Sequence, residues 1–126
     1  MSSGKRDEEA YQAIQQLQSM KADLDEKMLA AETMKVLEKK RADSAQAVLK
    51  MLEPVRGTDR PVYHNVGRAY MLTDADTVAV LKEEKISQCK KTIESIETRQ
   101  QELGLTYKQK EDAVREKLRA IQLRSP

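Results

Sequence analysis

From Ile86 onward the chain sets Ile86, Ile93, Gln100, Tyr107, Val114 and Ile121 at intervals of seven residues, with Cys89, Ile96 and Leu103 each three residues behind a member of that series. Apolar residues alternating at three and four positions are the signature of a helix that buries a narrow stripe against another helix. The companion series continues as Lys110 and Lys117, so the stripe is apolar near its middle and polar toward the chain end. Asp74 is suited to cap this helix through a free N–H of its first turn, and Asp76 suits the positive end of the helix dipole. The spacing predicts a helix over 75–123, in which Gly104 costs ~1 kcal/mol relative to alanine.

A helix with such a stripe needs a partner, and the first half of the chain supplies one. Residues 7–53 contain neither Gly nor Pro, and Ile14, Leu17, Leu24, Met28 and Ala31 recur at helical spacing, followed by Met34, Leu37, Ala45, Val48 and Leu52. The stripe shifts phase near Met34, which reads as a stutter, a local unwinding of a coiled coil. Pro54 and Gly57 then end the helix, because proline lacks an N–H and disfavours helical geometry in the residue before it. Each helix is about 47 residues, roughly 70 Å at 1.5 Å per residue, and is too extended to be stable alone. Folded back antiparallel, the two bring Leu52 to the level of Val78 and Leu81, and Ile14 to the level of Lys117 and Leu118, with both chain ends at one tip.

Composition agrees with helices and opposes a globule. Among 126 residues, 35% are charged, there is no Phe or Trp, and only four Tyr are present. That leaves little material for a globular core. Disordered chains share this bias, and the helical periodicity argues against disorder. The 23 basic and 21 acidic residues are interspersed, as on solvated helix faces, whereas a nucleic-acid binder concentrates positive charge. Cys89 is the sole cysteine, so no internal disulfide and no paired thiolate metal site can form. The polar start MSSGKRDEEAYQ lacks the apolar core of a signal peptide, and no run approaches the ~18 apolar residues of a membrane span. A cytoplasmic protein is expected.

Between the helices stands VYHNVGRAYML, residues 62–72. Val62 to Val66 and Ala69 to Thr73 are rich in Val, Tyr and Thr and are separated by Gly67, the punctuation of a β-hairpin over 62–73. Val62, His64 and Val66 share one face, while apolar residues of the second strand fall on both, so burial on both sides is expected. A two-stranded hairpin is marginal by itself. Its edges and faces call for other chains, which predicts assembly through Val62, Tyr63, Val66, Gly67, Tyr70 and Leu72 into an inter-subunit β-barrel that leaves no open edge. The expected fold class is thus mainly α: a long antiparallel coiled-coil hairpin of helices, joined by a short β-hairpin, in a single domain over 1–126.

A long helix, one β-hairpin containing Val62, Tyr63, Val66, Gly67 and Arg68, and a second long helix resemble a β-type prefoldin subunit. One hairpin, in place of two, favours the β type over the α type. The resemblance spans nearly the whole chain in architecture, and its specific residues are those of the V-Y-x-x-V-G-R segment. It implies a hexamer of two α-type and four β-type subunits, with a double β-barrel body from which six coiled coils project. It further implies ATP-independent capture of unfolded polypeptides such as actin and tubulin at the coiled-coil tips, and their delivery to the cytosolic chaperonin. Carried to this chain, the tips are the segments around Tyr11, Ile14 and Leu17 and around Val114, Leu118, Ile121 and Leu123.

The residues favour that placement. Lys110 and Lys117 fall at stripe positions near the tip, and Leu118 and Leu123 lie off the strict series, so apolar area there is incompletely covered. Ile14, Leu17, Val114 and Ile121 serve equally well to close the helix pair, and Tyr11, Leu118 and Leu123 are the better candidates for client contact. Of the six methionines only Met1 is near the tip. His64 has no second ligand of metal-site spacing and reads as a strand-face residue; Cys89 reads as a small buried apolar residue. Arg60 and Arg68 suit inter-subunit ion pairs or solvent equally. Four scattered glycines make no phosphate cradle, and no nucleophile stands beside a base, so neither an enzyme nor a cofactor is expected. A non-chaperone scaffold or a prefoldin-like paralogue holding another complex together is the alternative, and RNA binding by the helices is disfavoured.

Overall fold

The computed structural model describes residues 2–123, with the side chains of Ser2 and Ser3 left aside; Met1 lies outside the described residues. The elements are α1 (Ser2–Leu52), β1 (Pro61–Val66), β2 (Ala69–Asp74) and α2 (Ala75–Leu123). They contribute to two compact units: a terminal unit, Met1–Glu32 with Glu97–Pro126, and a hairpin unit, Thr33–Ile96. Among the described residues no helix is long and apolar enough to cross a membrane.

In the hairpin unit, α1 ends where Leu52 O accepts from the N–H groups of Val55 and Arg56, both at 2.9 Å. The chain then turns from Val55 to Thr58 with Gly57 at φ 79°, the left-handed conformation that glycine adopts without strain at the third position of a type II turn. Asp74 caps α2 as the sequence predicts: its Oδ1 accepts from Thr77 N–H at 2.7 Å. Between these ends Leu52, Ala75, Val78 and Ala79 form the core, with Val48, Leu49, Val55 and Val62 packed on it. Val78 meets Leu52 as expected, whereas Leu81 is exposed. Farther along, buried Cys89 hydrogen-bonds Glu38, so the helix segments run antiparallel within this unit.

The strands pair antiparallel, Tyr63 opposite Leu72, His64 opposite Met71 and Asn65 opposite Tyr70. Gly67, at φ 62°, and Arg68 make the two-residue loop. Glycine alone at positive φ in the first loop position is the type II′ pattern, whose twist matches that of the strands it joins. This turn fixes the register, and a slip of one residue would exchange the two faces.

In the terminal unit the helix segments are again antiparallel: Gln100 bonds Glu32, Lys21 lies over Tyr107, and Gln16 shares a groove with Lys117, close to the level predicted for Ile14. Taken unit by unit, the inward stripes differ from the sequence expectation in three places, the first in the hairpin unit and the other two in the terminal unit. On α1, Met34 and Leu37 are exposed, and the stripe instead passes through half-buried Lys35 and Glu38 without a phase shift. Glu38 tolerates this because Arg41 binds it at 2.7 Å and the Cys89 thiol donates to it. Near the start of α1, Ala13 is buried and Ile14 is the more exposed neighbour.

The third difference is on α2. Lys110 and Lys117 are exposed, and half-buried Glu111 and Leu118 occupy the stripe, followed by buried Val114 and Ile121. The inward residues Tyr107, Glu111 and Val114 follow Leu103 at steps of four, four and three, an eleven-residue spacing; Leu17, Met20, Leu24 and Met28 show the same spacing on α1. Such a spacing relaxes left-handed supercoiling. Met20, Leu24, Leu103 and Tyr107 line one hollow, so the two stutters face each other. Glu111 is held in the stripe by the Tyr107 hydroxyl and by Arg115 at 3.3 Å.

Candidate functional site

Exposed apolar residues lie on the β-hairpin, in the terminal unit, and along the helices of the hairpin unit at Met34, Val36, Leu37, Met51, Val80 and Leu81; the sequence candidates fall on the first two. On the β-hairpin, residues directly paired across the strands point to one side. Val62, His64 and Thr73 are half-buried on the side that meets the hairpin-unit core, where Val66 also points but is exposed. Tyr63, Tyr70 and Leu72 point the other way and are 73%, 72% and 62% exposed. Burial on both strand faces, expected from the sequence, is therefore not reached among the described residues. Tyr63 lies directly opposite Leu72 and diagonal to Tyr70, so the three make one continuous apolar patch on a sheet with two open edges.

In the terminal unit the seven sequence candidates separate by burial. Val114 and Ile121 are buried, and Leu17 and Leu118 are half-buried in the stripe. Tyr11 and Ile14 are exposed on one flank of α1, three residues apart, and Leu123 is 80% exposed in the last turn of α2. Beside the stripe runs a groove of about 330 Å³ lined by Gln16, Met20, Lys110, Ala113, Val114 and Lys117. Leu29 and Leu105 are further exposed apolar residues of this unit that lie outside the helical stripes, which is why periodicity does not single them out.

The electrostatics are those of a held scaffold. The Thr77 backbone N–H, and then its side chain, hold the Asp74 carboxyl below its usual range, the mark of a working cap. Burial, followed by its bond to Glu38, raises the Cys89 thiol. Tyr107 is raised first by burial and then by Glu111, and Lys21 Nζ sits 5.4 Å from its ring centre. Arg56 was not legible in the sequence, because its partners are remote: it reaches Asp76 at 3.2 Å and Glu83 at 3.4 Å, tying the turn after α1 to the start of α2. Among the described residues, no three of His, Cys, Asp and Glu cluster as metal ligands.

No family model matches this sequence, and no curated protein does. Among solved structures, the chain is similar to the prefoldin beta subunit from Thermococcus strain KS-1, with a TM-score of 0.53 and 21% identity over 82% of this chain and 93% of that one. Two long helices joined by one antiparallel β-hairpin are common to both, and the chain has the fold of a prefoldin beta subunit.

Proposed function

We propose that this chain is a β-type subunit of a prefoldin-like hetero-hexamer that captures unfolded polypeptides without ATP. The observation that carries the reading is the hairpin: Tyr63, Tyr70 and Leu72 lie on one face of a two-stranded sheet and are left exposed by the described residues. Burying apolar area stabilises by ~25 cal/mol per Å², and pairing hairpin edges with other subunits would cover this face and close the edges together. The V-Y-x-x-V-G-R segment, with Gly67 and Arg68 forming the turn, supports the reading because it resembles that of eukaryotic prefoldin subunit 1. On this reading the partners are α- and β-type prefoldin subunits and the clients are unfolded chains such as actin and tubulin. These pass to the cytosolic chaperonin, and the protein acts in the cytoplasm with no catalytic step.

Client contact falls to Tyr11, Ile14 and Leu123, with Leu17 and Leu118 reached when the helix pair separates locally; Val114 and Ile121 close the pair. Weak apolar contacts from several subunits add through effective concentration, so each stays reversible. The test is suppression of aggregation of a denatured client by the assembled complex, with Tyr11→Asp and Leu123→Asp introduced together. The expected result is intact assembly with lost protection. Full protection by that variant contradicts the assignment, and assembly without any affinity for unfolded chains favours the alternative of a structural scaffold.

A further inference from the structure

In a chain that is 35% charged, residues 10–20, AYQAIQQLQSM, carry no charge at all. Gln16 and Met20 from this stretch form one wall of the terminal-unit groove, and α2 forms the other with Lys110, Ala113, Val114 and Lys117. Both lysines are exposed, and among the described residues neither has an ion-pair or hydrogen-bond partner. The neighbouring charges are engaged elsewhere: Glu111 with Arg115 at 3.3 Å, Glu116 with Arg119 at 2.9 Å, and Asp23 with Lys27 at 3.0 Å. The groove thus has an apolar floor of Met20, Ala113 and Val114, an uncharged amide wall, and two cations on one rim.

We infer that this groove selects, among unfolded polypeptide segments, those in which an apolar stretch is flanked by carboxylates. Lys110 and Lys117 are seven residues apart, so their attachment points stand ~10 Å apart along the helix. That distance matches acidic residues about seven positions apart in a helical segment, or about three apart in an extended one. The apolar side chains between them reach the floor, while the carboxylates meet the lysines. Basic segments meet two cations and no anion, and are rejected. The inference rests on the proposed capture of unfolded chains and adds the chemical class that is preferred.

The test uses the full-length protein and three labelled 15-residue peptides with one apolar centre, flanked on both sides by Glu, Gln or Lys, with binding read by fluorescence anisotropy. Exposed pairs are weak, so the Glu peptide is expected to bind about threefold to tenfold more tightly than the Gln peptide. The Lys peptide should be weakest. The preference should vanish in the K110Q/K117Q variant and at high salt, and should return in K110R/K117R. Equal binding of the Glu and Gln peptides overturns the inference and leaves capture itself intact. Survival of the preference in K110Q/K117Q also overturns it. So does equally tight binding of a Glu-rich peptide lacking the apolar centre, or of a single-stranded oligonucleotide, either of which marks a general anion patch. Binding of none of the peptides overturns both the inference and the capture reading.

Discussion

Gln100 Nε2 donates to Glu32 Oε1 at 2.9 Å, joining α2 to α1 from a buried position of the heptad stripe. A polar group at such a position fixes register at a cost in stability relative to an apolar residue. Gln100→Leu is expected to raise the urea midpoint, and Gln100→Ala to lower stability by about 1 kcal/mol through the lost bond. Urea unfolding followed by circular dichroism reads both.

Gly67 at φ 62° should not tolerate a side chain. Gly67→Ala places a Cβ in left-handed geometry, at about 1–2 kcal/mol. Loss of the turn frees the register, so the variant is expected to keep its helical signal while assembling poorly. Size-exclusion chromatography of the mixed complex measures the second effect.

Tyr63→Asp and Tyr70→Asp put a charge on the exposed hairpin face without touching the core formed by Leu52, Ala75, Val78 and Ala79. Helicity and thermal midpoint of the isolated chain should stay unchanged, and assembly should be lost. A drop in helicity would mean the face already serves the fold of the single chain.

The Asp74 cap carries a pH dependence. Its folded pKa lies below that of an ordinary aspartate because Thr77 bonds the ionised form. Its contribution is therefore fully present above the unfolded pKa and is lost as pH falls through the lowered folded value. Asp74→Asn should flatten the acid limb of the stability profile below about pH 4 relative to the natural protein, as measured by thermal unfolding across pH.

The hairpin and both helices were legible because local signals agree: Pro54 and Gly57 stop α1, Gly67 makes the turn, Asp74 starts α2, and Ile86 begins a regular repeat. The inward stripe was less legible where polar residues join it. Lys35, Glu38 and Glu111 do not register as inward in an apolar pattern, yet Glu38 and Glu111 are satisfied there by Arg41, Cys89, Tyr107 and Arg115. Assigning Lys110 and Lys117 to the stripe followed from extending a strict heptad through a stutter, and the same error hid the inward placement of Leu118. Arg56 left no local trace, since Asp76 and Glu83 come near only once the chain has turned back.

The measurement that bears most directly on the account is the native mass of this protein mixed with α-type and β-type prefoldin partners, alone and with Tyr63→Asp. A defined hetero-hexamer containing the natural chain, and none containing the variant, is expected. A natural chain that stays monomeric or homodimeric in that mixture would contradict it.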